Sequence, residues 1–127
     1  MRLFIVRHAE AAAGEPDDLR PLTPGGRDAA RTVGERLAAH TPDAVLTSPL
    51  LRARETGALI ARACGLDAEA DERLAPGADA DAVVEAASGR GDTVVAVGHQ
   101  PDCSEIVLAL SGREVVFAPA AFAELEL

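Results

Sequence analysis

Three short apolar runs of this chain each lead into polar residues of types that can carry out phosphate chemistry. These residues are Arg7 and His8 after residues 3–6, Ser48 and Arg52 after residues 43–47, and His99 after residues 93–97. A guanidinium group matches the oxygens of a phosphoryl group bidentately, and a histidine nitrogen close to phosphorus can attack it to form a covalent phosphohistidine. A second histidine, when protonated, can hydrogen-bond an equatorial oxygen and stabilise the developing charge. The residue types therefore predict phosphoryl transfer through a histidine intermediate.

The elements between these residues predict that they meet at one edge of a sheet. Patterning indicates strands at 3–6, 43–47, 68–71 and 93–97, helices at 24–39, 49–64, 82–87 and 102–110, and a closing hairpin formed by 115–117 and 122–127. Thr23–Pro24 and Ser48–Pro49 both read as a cap followed by proline at the start of a helix. Alternating strands and helices predict an α/β fold, a three-layer α/β/α sandwich with a mostly parallel central sheet. Ligands bind beyond the carboxyl ends of such strands, where the polar residues lie.

Composition narrows the classes of partner. The length of 127 residues suits one domain, 1–127, and the net charge of −9 together with the absence of Trp and Tyr argues against nucleic acid and anionic membrane surfaces. No apolar run approaches the roughly 20 residues of a membrane helix, and the N-terminus does not read as a signal peptide. Cys64 and Cys103 form no CxxC motif, which favours a reducing, cytoplasmic location with both thiols acting as small hydrophobic groups.

Four motifs resemble a known family. RHAEA at 7–11, SPLLRARET at 48–56 and VGHQPD at 97–102 resemble the signatures of the histidine phosphatase superfamily, which includes the cofactor-dependent phosphoglycerate mutases. LRPLTPGG at 19–26 resembles the SixA-type branch of phosphohistidine phosphatases, and Ala9, where the commonest first motif has glycine, is frequent in that branch. The four motifs stand in the family's order and spacing. The resemblance implies a phosphoglycerate mutase-like fold and a metal-independent phosphatase without a cofactor.

The resemblance also implies a role for each residue of the motifs. His8 would be the nucleophile and His99 the second histidine, and the phosphoryl group would be bound by Arg7, Arg20, Arg52, His99 and Ser48. Two of these residues have other interpretations. Arg20 could be a loop arginine paired with Asp17 or Asp18, and Ser48 could act first as a helix cap. Arg54 lies two residues from Arg52 and therefore points to another side of the helix.

One expected group is missing. The mutases carry a glutamate, in a mid-chain insertion that this chain lacks, which protonates the leaving oxygen. Glu72, Asp79 and Asp102 are the candidates for a general acid, and none has a distinctive context. An alkoxide leaving group (conjugate-acid pKa about 16) needs protonation, whereas an imidazole (about 6.5) needs much less help. The absence therefore favours a phosphorus–nitrogen bond over a phosphate monoester as the substrate.

Three functions remain open. The first is a protein phosphohistidine phosphatase acting on a histidine phosphotransfer domain or similar protein, which the short chain and shallow site would suit. The second is a phosphatase of small phosphorylated molecules, and the third is a module that binds a phosphorylated ligand without turnover. The chain lacks the insertions that build dimer contacts in larger relatives, so we expect a monomer. All three functions share one fold, so the fold cannot separate them.

Overall fold

A five-stranded, mostly parallel sheet forms the centre of the computed structural model, which describes residues 1–127. The strands are β1 (Arg2–Arg7), β2 (Ala44–Thr47), β3 (Ala68–Ala70), β4 (Thr93–Gly98) and β5 (Phe122–Glu126), in the spatial order β3-β2-β4-β1-β5. β1, β2, β3 and β4 run parallel, and β5 pairs antiparallel with β1. The three strands that precede the polar residues are thus adjacent and point the same way, as predicted.

Helices cover both faces of the sheet, which confirms the three-layer α/β/α fold. They are α1 (Pro24–Ala38), α2 (Leu51–Ala63), α3 (Ala80–Ala87) and α4 (Asp102–Ser111), with short 3-10 turns at Asp17–Leu19 and Glu72–Leu74. Side chains of β1 alternate between the faces. One apolar core joins Phe4 and Val6 to α1 and α2, and the other joins Leu3 and Ile5 to α3 and α4.

The start of α1 also fixes the loop that follows β1. The Thr23 hydroxyl accepts a hydrogen bond from the Gly26 amide at 2.9 Å, and Pro24 occupies the first helical position, as the sequence predicts. The Glu10 carbonyl accepts from the Thr23 amide at 3.0 Å. A side chain at Gly26 would place its Cβ 2.2 Å from that carbonyl oxygen, so only glycine lets the loop pass this close to the helix.

The prediction that Ser48 caps the second helix is wrong. α2 begins at Leu51, and the residue before it, Leu50, makes no capping bond with its side chain. The Ser48 hydroxyl accepts from the Leu50 amide at 3.2 Å and is also bonded to His99. The Ser48 hydroxyl is therefore bonded to His99, which lies 51 residues away in the chain, whereas the local pattern predicts that it caps the helix.

The predicted closing hairpin is wrong in its first half. Residues 115–117 form no strand, whereas β5 forms as expected. The carbonyls of Val115 and Phe117 instead accept hydrogen bonds from the Ser104 hydroxyl at 2.6 Å and from Arg7 Nη1 at 2.8 Å. Side chains thus satisfy carbonyls that a neighbouring strand would have paired.

None of the four α-helices combines the length and the apolar character needed to cross a bilayer.

Candidate active site

An open cleft lies at the carboxyl ends of β1 and β4, next to the start of α2. The backbone at the end of β4 holds the neighbouring segments in place, because the Gly98 carbonyl accepts from the His8 amide at 2.9 Å and the Val97 carbonyl from the Ser48 amide at 3.0 Å. The cleft is lined by Arg7, His8, Glu10, Ala11, Arg20, Arg52, Pro76, His99, Gln100 and Pro119. Five of the six predicted site residues therefore meet in one cleft, and Ser48 lies behind it.

His8 is held in the tautomer that a nucleophile needs. Its Nδ1 lies 2.7 Å from the Ala9 carbonyl oxygen, which can only accept a hydrogen bond, so Nδ1 carries the proton and Nε2 keeps a lone pair. Burial lowers the pKa of His8, and the positive charges of Arg52 and Arg7 lower it further. At neutral pH the ring is uncharged and Nε2 is able to attack phosphorus.

His99 faces His8 across the cleft and is fixed by Ser48. The two imidazole centroids are 5.2 Å apart, and His99 Nε2 lies 2.8 Å from the Ser48 hydroxyl. Burial, followed by the His8 and Arg52 charges, lowers the pKa of His99 to about 4. The ring is therefore neutral in the free protein, and the protonated second histidine expected beside a bound phosphoryl group stays a prediction.

The role predicted for Ser48 is also corrected. Its side chain is fully buried and does not line the cleft. The hydroxyl accepts from the Leu50 amide, and its proton has no acceptor other than Nε2 of neutral His99, so the N–H of that ring lies on Nδ1. Ser48 thus contacts His99 from behind and offers no exposed surface to the cleft.

Arg7 and Arg52 each present a buried N–H group without a partner. The Nε atoms of both side chains are buried and make no hydrogen bond. Leaving a buried donor unpaired costs about 1–3 kcal/mol, so such groups point to a ligand. Three of their four Nη atoms are engaged by the protein: Arg7 Nη1 donates to the Phe117 carbonyl, and Arg52 Nη1 and Nη2 donate to the carbonyl and carboxylate of Asp17. The pair fits a tetrahedral oxyanion.

Arg20 is both paired with an aspartate and part of the cleft. Its Nε donates to Asp17 Oδ1 at 2.9 Å, as one of the two sequence interpretations had it, and its side chain also lines the cleft. Asp17 Oδ2 accepts in addition from Arg52 Nη2 at 3.2 Å. The hydrogen bond from Arg20, followed by the Arg52 charge, holds the pKa of Asp17 below its ordinary value, so this carboxylate is ionised.

The three acids considered from the sequence lie outside the cleft. Asp79 accepts from the Ala82 amide as the cap of α3, and the buried Asp102 accepts from the Gly77 amide at 2.8 Å. Glu72 lies on a separate depression of the surface. Glu10 is the carboxylate that lines the cleft, and it is held by the Thr23 hydroxyl at 2.8 Å.

Two supporting residues were missed at the level of sequence. Thr56 accepts from the Ala9 amide at 3.0 Å and donates to the Arg52 carbonyl at 2.7 Å, so it ties the nucleophile loop to α2. Thr56 is the last residue of the second motif, and this position was the sequence signal that could have identified it. Asp17 was considered only as a partner of Arg20, and its bond to Arg52 spans 35 residues of the chain.

Comparisons with known proteins agree with this geometry. A family model described as histidine phosphatase superfamily (branch 1) matches residues 3–76. The phosphohistidine phosphatase SixA homolog of Haemophilus influenzae is 32% identical, over 98% of this chain and 87% of that protein. The probable phosphoglycerate mutase GpmB of Serratia proteamaculans is 36% identical over 81 residues, which are 58% of this chain and 37% of that protein.

Solved structures agree as well. The protein histidine phosphatase SixA complexed with tungstate superposes with a TM-score of 0.88 at 31% identity, covering all of this chain and 88% of that one. The putative phosphohistidine phosphatase SixA from Agrobacterium tumefaciens gives 0.82 at 25% identity, covering 98% and 90%. The resemblance to the SixA-type branch is thereby confirmed.

Proposed function

We propose that this chain, which belongs to the histidine phosphatase superfamily, removes phosphate from phosphohistidine on another protein through a phosphoenzyme formed at His8. One observation carries the proposal. A neutral His8, whose Nε2 is free, lies in the same cleft as Arg7 and Arg52, whose Nε–H groups have no hydrogen-bond partner. A nucleophile and unsatisfied cationic donors then meet at one cleft, as phosphoryl transfer requires. The superfamily's phosphatases work without a metal.

The first step transfers the phosphoryl group to the protein. His8 Nε2 attacks phosphorus with its lone pair, the bond between phosphorus and the substrate's ring nitrogen breaks, and that electron pair returns to the leaving nitrogen. A proton on the other nitrogen of the substrate ring lets it leave as neutral imidazole. Arg7 and Arg52 hold the equatorial oxygens, and Arg20 adds a third positive charge at the cleft.

The second step releases phosphate. Water attacks phosphorus, the bond to His8 Nε2 breaks and its electron pair returns to the ring, while the water proton passes to solvent. In both steps His99 donates a hydrogen bond from its Nδ1–H group to a phosphoryl oxygen and keeps the proton. A bound dianion raises the pKa of His99, because a nearby negative charge favours the imidazolium form.

The carboxylates of the site support a phosphorus–nitrogen bond as the substrate. The ionised Asp17 is fixed on Arg20 and Arg52, which suits it poorly to protonating an alkoxide. Glu10 is bonded to Thr23. An imidazole leaving group needs less acid assistance than an alkoxide, so the site matches phosphohistidine better than a sugar phosphate.

The remaining sequence expectations belong to this proposal. The 127 residues would act as one histidine phosphatase domain, because a single sheet joins both apolar cores. We expect a monomer, since the exposed large hydrophobic residues are few: Leu19, Leu108, Val116 and Leu127. The free thiols of Cys64 and Cys103 suit a reducing cytoplasm.

The test is mass spectrometry of the intact protein after brief mixing with a phosphorylated histidine phosphotransfer domain. The wild-type chain should gain one transient phosphate while the partner loses its own. The variant His8→Ala should do neither, and His40→Ala, which alters a histidine outside the cleft, should behave as wild type. Turnover of sugar phosphates measured in parallel should be lower.

Each other outcome selects a different function. Clear preference for a sugar phosphate would make the chain a small-molecule phosphomonoesterase. Binding of phosphate analogues without an adduct or turnover on any substrate would make it a binding module. If the His8→Ala variant still removed phosphate from the partner, the assignment of His8 as the nucleophile would be contradicted.

A further inference from the structure

Asp17 joins two of the three cleft arginines through its side chain and its backbone. Oδ1 accepts from Arg20 Nε at 2.9 Å, and Oδ2 accepts from Arg52 Nη2 at 3.2 Å. The Asp17 carbonyl also accepts from Arg52 Nη1 at 3.0 Å. Asp17 alone thus accepts hydrogen bonds from both terminal nitrogens of the Arg52 guanidinium. Of the carboxylates in this chain, only that of Asp17 bonds either arginine.

We infer that Asp17 is a positioning residue that orients Arg52 and draws Arg20 into the cleft for binding the phosphoryl group. The inference rests on the proposed function and adds a residue that the motif roles do not include. Two bonds to the terminal nitrogens fix the plane of the Arg52 guanidinium and leave its buried Nε–H as the donor without a partner. The Asp17 carboxylate also offsets the repulsion between the two arginines that it joins.

The opposite role is conceivable from charge alone. A carboxylate on the arginines could occupy the place of the phosphoryl oxygens and compete with them. Two observations favour positioning. Asp17 engages Arg52 at the Nη atoms and not at Nε, and the contact includes the main-chain carbonyl, which also accepts from the Arg20 amide at 3.2 Å. Because the backbone of Asp17 also takes part in these contacts, Asp17 is a fixed component of the site.

The two roles predict opposite signs for one substitution. Replacing Asp17 with asparagine removes a negative charge beside an anion site. Coulomb attraction alone would then tighten anion binding. If Asp17 positions the arginines, the same change loosens binding, because the amide nitrogen of asparagine is a donor and cannot accept from a guanidinium.

The experiment measures tungstate binding by calorimetry for wild type, Asp17→Asn and Asp18→Asn. Tungstate is a tetrahedral oxyanion, and it is bound in the related SixA structure. Asp18→Asn is the matched control, because Asp18 lies in the same turn, Asp17–Leu19, carries the same charge and makes no side-chain hydrogen bond. We expect Asp17→Asn to weaken tungstate binding about tenfold, the effect of one charge-assisted hydrogen bond, and Asp18→Asn to change it less than twofold.

A second measurement tests whether Asp17 acts through its partner. In an Arg20→Ala background, Asp17→Asn should weaken tungstate binding only about threefold, because one of the two contacts is already lost. The KM for phosphohistidine should rise in parallel with the dissociation constant. The thermal midpoint should remain that of wild type, since the Asp17 side chain is 61% exposed.

The outcomes separate this inference from the proposed function. Tighter tungstate binding by Asp17→Asn, or a change no larger than that of Asp18→Asn, would overturn the positioning role while leaving wild-type turnover intact. An equal loss with and without Arg20 would overturn the coupling. A wild-type protein that neither binds tungstate nor forms a phosphoenzyme would instead remove the proposed function.

Discussion

Ser48 is an uncharged residue that determines which nitrogen of His99 presents a proton to the cleft. Its hydroxyl lies 2.8 Å from His99 Nε2, and its oxygen accepts from the Leu50 amide at 3.2 Å. The lowered pKa of His99, about 4, follows first from burial and leaves the ring neutral in the free protein, where its tautomer has to be set. Ser48 thus keeps the N–H of the neutral ring on Nδ1, the nitrogen that remains to hydrogen-bond a phosphoryl oxygen.

The variant Ser48→Ala tests this effect of the serine hydroxyl on the tautomer of His99. Without the hydroxyl, His99 can place its proton on either nitrogen, so we expect kcat to fall about tenfold, the value of one hydrogen bond of roughly 1.4 kcal/mol, with KM changed little. The control is Ser111→Ala, which removes a hydroxyl that donates to the Val107 carbonyl on α4. Unchanged kcat for Ser48→Ala, measured under single-turnover conditions, would mean that the tautomer is set elsewhere.

At the scale of elements, the close contact of α2 with β2 positions the arginine and the serine of the second motif. A Cβ on Gly57 of α2 would lie 2.1 Å from Thr47 Cγ2 of β2. Thr47 is buried to 99% and cannot move aside. Glycine at this position therefore lets α2 approach the strand closely enough to bring Arg52 to the cleft.

Gly57→Ala should destabilise the protein by about 1–3 kcal/mol, the usual cost of overpacking a core. Gly25→Ala is the matched control, since it lies in α1 with an ordinary φ and its Cβ would meet nothing nearer than Thr23 Oγ1 at 4.0 Å. Reduced entropy of the unfolded chain should make that variant neutral or more stable by up to about 1 kcal/mol. Urea unfolding of both variants measures the difference, and equal stability of the two would show that α2 can shift without cost.

At the scale of the whole molecule, the site makes stability depend on pH. Burial lowers the pKa of both His8 and His99, in the second case to about 4, whereas an unfolded histidine titrates near 6.5. Between these values the unfolded chain binds more protons than the folded one. Unfolding therefore becomes easier as the pH falls through this window, because protonation favours the unfolded state.

Urea unfolding at pH 7 and pH 5 should show this loss of stability. His99→Gln, which cannot titrate, should lose less stability between the two pH values than wild type does. Wild type and His99→Gln are compared with each other because the net charge, −9 at pH 7, also changes over this pH range and affects the stability of both proteins in the same way. Parallel pH dependence in wild type and His99→Gln would contradict the lowered pKa of His99.

Much of the fold and of the cleft followed from local patterns. The helix start at Thr23–Pro24 was predicted correctly because its hydrogen bond closes within four residues. The parallel strands could be read from apolar runs, and parallel strand ends share one edge, so the meeting of His8, Arg52 and His99 followed from topology. The same local reasoning failed at Ser48–Pro49, because His99 engages the serine across 51 residues.

The sequence by itself determined the family, the α/β fold and the residues of the cleft, since motif residues and strand-forming runs are properties of short segments. Tertiary structure alone decided the charge state of His99, the second contact of Asp17, and the fate of residues 115–117. Each of these depends on burial or on partners brought together from distant parts of the chain. Desolvation and the side-chain partners of backbone carbonyls are set by the packed molecule, and no local pattern contains them.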